Sequence, residues 1–187
     1  MAKRRPSGDG MVRKREDGRW EGRIVVGHKS NGDSIFRYIS APTQRELSAK
    51  LRQLTEAYKG VDLTEESNMS LSVWLDKWLD EYMAATLRPT TLNGYRRSLE
   101  LHVKPYFGNK ALSKITAADL RSLYRTLQES GRAHPRDGQS PGLSARTVHG
   151  IHTTLHHALK TAMEQNLIPS NPAAYTTPTR RTTARKS

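Results

Sequence analysis

Between residues 11 and 40 apolar positions alternate with polar ones, and from residue 71 they recur at helical spacing, so the chain reads as a small sheet followed by helices. A first strand over residues 11–15 runs into Glu16-Asp17-Gly18, a turn that uses glycine's tolerance of positive φ. The second strand, residues 20–27, sets Trp20, Gly22, Ile24 and Val26 on one face and Glu21, Arg23 and Val25 on the other. Ser30-Asn31-Gly32-Asp33 predicts another hairpin turn, and residues 34–40, SIFRYIS, have the β-branched and aromatic content of a third strand. Ala41-Pro42 stops it. Thr43-Gln44-Arg45-Glu46 then predicts a capping box, and Leu47, Leu51, Leu54 and Tyr58 predict a helix to Lys59 covering one sheet face.

Residues 63–69, LTEESNM, are polar and aperiodic and predict a linker. Four helices are expected beyond it. Leu71, Trp74, Leu75, Trp78, Leu79 and Tyr82 give the first, over 71–83, a wide apolar stripe, with Asp76, Lys77, Asp80 and Glu81 opposite. The second follows Arg88-Pro89, with Thr90 or Thr91 as its cap, and buries Leu92, Tyr95, Leu99 and Val103. The third spans 116–130 behind a capping box of Thr116 and Asp119. A Gly/Pro-rich loop, 131–143, separates it from a fourth, capped by Ser144, that runs to Gln165 on Val148, Ile151, Leu155, Leu159 and Ala162. Asn166 to Pro172 closes it. The expected class is α+β: a three-stranded antiparallel sheet with one helix, then an all-α four-helix domain. The expected segments are a basic disordered lead (1–9), a sheet domain (10–62), the linker (63–69), the helical domain (70–172) and a basic Thr/Arg-rich tail (173–187).

Charge narrows the choice of partner. Of the 187 residues, 31 are Lys or Arg and 18 Asp or Glu, a formal charge of +13 that suits a polyanion. The excess sits at the ends: residues 1–60 hold 14 basic against 7 acidic side chains, and residues 176–187 hold 4 basic and no acidic ones. With no cysteine, disulfides, thiolate metal sites and cysteine nucleophiles are excluded. No apolar run approaches the roughly 20 residues of a membrane span, and the N-terminus has no apolar signal region. A cytoplasmic protein that avoids membranes is expected.

Arg13, Arg15, Arg19, Arg23 and Arg37 fall near a sheet face that the helix leaves open. Small sheets enter the major groove, and arginine matches guanine O6 and N7. A plainer role for these arginines is to keep an open sheet solvated. His149, His152, His156 and His157 share the fourth helix, but neighbouring positions offer neither a third metal ligand nor an acid partner, so no metal is expected. No phosphate-cradling glycine loop occurs, and no nucleophile stands with a base and oxyanion donors, so no cofactor is expected either.

The order of these elements resembles the N-terminal portion of phage- and conjugative-transposon-type integrases, the tyrosine recombinases. Gly10-Met11-Val12, residues 15–20 and residues 43–47 resemble their arm-binding domain. Residues 78–82, Thr90-Thr91 with Tyr95, residues 102–108, Thr147-Val148, residues 155–159 and residues 166–172 resemble their SAM-like core-binding domain. The resemblance implies a sheet that reads arm sites in double-stranded DNA and a helical clamp on the core site. Carried onto this chain, the clamp's groove-facing helices point to Thr91, Arg96, Arg97, Arg146, Thr147, His149, Thr153 and Lys160. It also implies intact integrase protomers as partners. The family's tyrosine nucleophile and its Arg, Lys and His companions would lie beyond Pro172, where only 15 residues follow; Tyr175 stands in the wrong context, and no His-x-x-Arg occurs. The chain is therefore expected to have no catalytic activity of its own. The Thr/Arg composition of its end suggests a truncated or frameshifted reading frame. Two alternatives remain open: a recombinase completed by a separate catalytic polypeptide, and a regulatory DNA- or RNA-binding basic protein.

Overall fold

Two turns with glycine in the left-handed region shape the beginning of the chain. Gly18 (φ 79°) and Gly32 (φ 86°) reverse it between β1 (Met11–Lys14), β2 (Trp20–His28) and β3 (Ser34–Ala41). The computed structural model describes residues 11–178; the expected N-terminal lead and the chain from residue 179 lie outside the described residues. The chain folds as two units, with the boundary between Ser67 and Asn68.

In the first unit the sheet is antiparallel in the order β1-β2-β3. Register places Val12 opposite Gly22, Ile24 opposite Arg37 and Gly22 opposite Ile39. α1 (Gln44–Ala57) covers that face, with Leu47 buried and Leu51 against Gly22. Thr43 Oγ1 accepts from Glu46 N at 3.2 Å, the hydroxyl half of the expected box. Leu63, expected in the linker, belongs to this unit's core with Ile24 and Val26. Its N–H donates to Val26 O at 2.9 Å, and its carbonyl accepts from His28 N at 3.2 Å. The chain satisfies its backbone on the bulged edge of β2 before leaving, which polarity alone does not reveal.

The second unit packs around two tryptophans. α2 (Leu71–Lys77) continues as a π-helical turn over Trp78–Met83, where a single α-helix was expected. Trp74 Nε1 donates to Ala158 O at 3.0 Å and Trp78 Nε1 to Thr161 Oγ1 at 3.2 Å, so both buried indoles are satisfied by α6 (Ala145–Glu164). α3 (Pro89–His102) starts earlier than expected, with Arg88 as N-cap. Pro89 takes N1, where its missing N–H and fixed φ fit a helix start. A short α4 (Lys104–Phe107) and a 3₁₀ turn (Leu112–Lys114) lead to α5 (Ala117–Ser130), which has the predicted Thr116–Asp119 capping box. Ser144 caps α6, and Asn166 (φ 55°) ends it, with Leu167 N donating to Ala162 O at 2.9 Å. Residues 173–178, at the start of the basic Thr/Arg-rich tail expected from sequence, include the end of a 3₁₀ turn (Pro172–Tyr175) and bury Ala173, Thr176 and Pro178.

Candidate nucleic-acid interface

The sheet face away from α1 is mixed in character. Register brings Met11, Arg13, Glu21, Arg23, Phe36 and Tyr38 to it, with Met11 and Tyr38 among the most exposed large side chains. Arg13 is tied to Glu21 directly across the ladder, Nη2 to Oε2 at 3.0 Å. The Arg23 guanidinium lies 4.2 Å over the Phe36 ring, an arrangement that holds the fork in place while leaving its edge open. Arg15 and Arg19 sit in the exposed β1–β2 turn; Arg15 N donates to Arg19 O at 2.8 Å, and its Nε is 3.5 Å from Asp17. Arg37 is a correction. It stands opposite Ile24 and therefore on the helix-covered face. Met11 and Tyr38 are not among the residues expected from sequence; their place on this face follows from the pairing of Arg23 with Met11 on one side and with Tyr38 on the other.

In the helical unit two exposed helix faces carry the expected residues. On α6, Arg146, His149, Thr153 and Lys160 follow one another at helical spacing and are all exposed, with Thr147 at the margin. Thr147 Oγ1 lies 2.8 Å from Ser144 Oγ, Thr153 Oγ1 donates to His149 O at 3.0 Å, and Lys160 leans on Glu164 at 3.6 Å. Glu164 is the first acidic residue of this helix, so its preceding turns expose cations, imidazoles and hydroxyls without a carboxylate among them. On α3, Thr91 and Arg97 are exposed. Arg96 is half-buried and points to the acids of the π-helical turn, with Nη2 2.6 Å from Asp80 Oδ1. That hydrogen bond raises its pKa further.

Each of these faces contains a mid-helix glycine, Gly94 and Gly150, and a Cβ built on either meets nothing within 4 Å. Neither glycine is needed for internal packing, and each costs its helix about 1 kcal/mol relative to alanine. Their places inside the helices follow from the sequence; the open space beside them does not.

His152 turns inward from α6: its Nδ1 lies 3.0 Å from the Tyr124 hydroxyl, and the rings meet edge to face. Burial, with His156 and His149 nearby, holds its pKa below the ordinary imidazole value. Among the described residues no group of three His, Cys, Asp or Glu side chains is placed to hold a metal ion, and no helix is long and apolar enough to cross a membrane.

A family model described as phage integrase, N-terminal SAM-like domain, matches residues 70–128. An integrase of Saccharopolyspora erythraea is 23% identical over 174 residues, covering 91% of this chain and 37% of its own length. The chain thus spans less than two fifths of that relative. Among solved structures, a phage integrase SAM-like domain from Moorella thermoacetica is 35% identical, covering 63% of this chain and 91% of that one with a TM-score of 0.48. A fragment from Clostridium leptum is 24% identical, covering 64% and 96% with a TM-score of 0.50.

Proposed function

The helical unit of this chain is a phage-integrase SAM-like domain, and on that premise we propose that the chain is the DNA-binding portion of a site-specific integrase, serving integration and recombination of a mobile element. The helical unit grips the core site through α3 and α6, and the sheet unit reads arm-type sites. One observation carries this reading above the others: α6 exposes Arg146, His149 and Thr153 on a face that meets no acid before Glu164. Such a face attracts phosphate along its length, and the free N–H groups of the first turn add to the attraction beside Arg146.

Within that reading Arg97, Arg146 and Lys160 neutralise phosphates, while Thr91, Thr147, His149 and Thr153 face the groove. On the sheet, Arg23 is the base reader, because stacking on Phe36 fixes its fork before DNA arrives. Arg15 and Arg19 hold the backbone from the turn, and Arg13 does so only by exchanging Glu21 for phosphate. Arg37 and Arg96 are not part of the contact set. These residues bind and position DNA; strand cleavage is left to other parts of an integrase, and intact protomers are the natural partners on paired sites.

Footprinting the full chain on the ends of its own element, over a salt series, tests this. Protection of the ends at salt concentrations that abolish binding to bulk DNA supports the proposal. Equal affinity for every duplex, or tighter binding to structured RNA, overturns it.

A further inference from the structure

Outside the α3 and α6 faces a second cationic site stands on α5. Arg121, Ser122, Arg125 and Gln128 line a shallow groove whose other wall is Thr177 and Pro178, with Tyr124 at its base. Arg121 and Arg125 are exposed and lie one helical turn apart, about 6 Å, close enough to engage neighbouring phosphates of one strand. Neither is in an ion pair among the described residues. The acid at the start of α5 is already committed: Asp119 Oδ2 is 2.6 Å from Lys110 Nζ and accepts from Thr116 N and Oγ1, each at 2.8 Å. The groove also adjoins the α6 face. Tyr124 meets His152, whose ring centroid is 6.0 Å from that of His149.

We propose that this groove binds the phosphodiester backbone of duplex DNA, so that a duplex seated on α6 is held a second time by Arg121 and Arg125. The proposal rests on the DNA-binding reading of the helical unit and extends it to a helix that neither the sequence pattern nor the α3–α6 geometry included. Two guanidiniums, the hydroxyls of Ser122 and Thr177 and the absence of a competing acid among the lining residues fit a chain of phosphates. No base edge is read there, so the contribution is the same for every sequence.

The test compares the full chain with Arg121→Gln/Arg125→Gln, Arg121→Lys/Arg125→Lys and Arg146→Gln by measuring affinity for one fixed duplex across a salt series. Each phosphate neutralised contributes about 0.9 to the slope of log affinity against log salt, so the glutamine pair is expected to lower the slope by about 1.8, with unchanged thermal melting. The lysine pair is expected to retain the parent slope. A parent-like slope in the glutamine pair, alongside a reduced slope in Arg146→Gln, overturns the groove and leaves the α6 reading intact. Absence of duplex binding by the parent chain overturns both.

Discussion

Arg96 Nη2 sits 2.6 Å from Asp80 Oδ1 and its Nη1 3.8 Å from Asp76, so a cation that helical spacing turns to solvent is committed to the neighbouring helix. Asp76 is shared with Lys104, whose Nζ lies 2.6 Å from Oδ1 and 2.8 Å from Oδ2. The acids of α2 and its π-helical turn thus pair with Arg96 of α3 and with Lys104 of α4. Partly exposed pairs of this kind contribute less than about 1 kcal/mol. Arg96→Ala is expected to lower stability slightly and to leave the salt slope of DNA binding at its parent value. Arg97→Ala is expected to do the reverse, lowering the slope by about 0.9 without a change in melting. The same pair of measurements on both variants decides; equal loss of slope would return Arg96 to the contact set.

The buried indoles are expected to dominate the stability of the helical unit. Trp78 is fully buried, stacks on Tyr95 with ring centroids 6.5 Å apart, and meets His157 edge-on. Trp78→Ala is expected to cost about 3–5 kcal/mol, read as a drop in the denaturation midpoint. Trp78→Phe keeps most of the apolar area and loses the bond to Thr161. The Thr161 hydroxyl still donates to His157 O at 3.2 Å, so the smaller variant leaves no orphan and is expected to cost much less. Similar losses in both would contradict the packing role given to the ring.

Gly27 permits a closer approach than any side chain would. It forms a parallel bridge with Leu63, and a Cβ there would run into the Leu63 backbone. Gly27→Ala is expected to destabilise the sheet unit by about 3 kcal/mol or more, while melting of the helical unit is unchanged. Hydrogen exchange resolved by segment is the suitable measurement. Loss of protection confined to residues 20–63 is expected, and parent-like protection there would refute the tight bridge.

Acid is expected to weaken the helical unit. Burial lowers the pKa of His102, and burial together with His156 and His149 lowers that of His152, which faces the Tyr124 hydroxyl across from α5. Well above the ordinary imidazole value of about 6.5 these rings are neutral folded or unfolded and do not affect the balance. As pH falls through that value the unfolded chain takes up protons that the folded chain resists, so stability declines until the lowered folded values are passed. His152→Gln is expected to flatten this decline in a melting series from neutral to mildly acidic pH. An unchanged pH dependence in the variant would remove His152 as its source.

Periodicity located the elements and most of the core because burial of one stripe per helix leaves a direct trace in the order of residues. Trp74, Trp78, Leu99, Leu120 and Leu155 are all buried on the stripes that contain them. What spacing does not carry is the partner across the gap. Arg96 and Arg97 are adjacent on one helix, and only the position of Asp80 on another gives the first an ion pair. On β3, Ile35 and Ile39 share a face with Arg37 while Phe36 and Tyr38 share the other, so both faces look mixed and the pairing of Ile24 with Arg37 decides which is covered. The α5 groove is hidden from spacing for a related reason: its far wall, Thr177 and Pro178, comes from a segment about 50 residues beyond the helix.

The two open glycines separate stability from binding. A methyl group at Gly94 or Gly150 would touch nothing, so Gly94→Ala and Gly150→Ala are each expected to stabilise the helical unit by about 0.5–1 kcal/mol through reduced freedom of the unfolded chain. If α3 and α6 bring their backbones close to a duplex, the same methyl groups stand between helix and DNA. Affinity is then expected to fall several-fold for alanine and further for Gly150→Val, whose branched side chain extends the obstruction beside Arg146 and Thr153. Thermal melting and duplex titration on the same preparations give both readouts. A higher melting temperature with reduced affinity fits glycines that serve DNA contact at the expense of helix stability. Higher melting with parent-like affinity would mean that the DNA approaches elsewhere, and Arg97 and Arg146 would then need to act from a greater distance than this face allows.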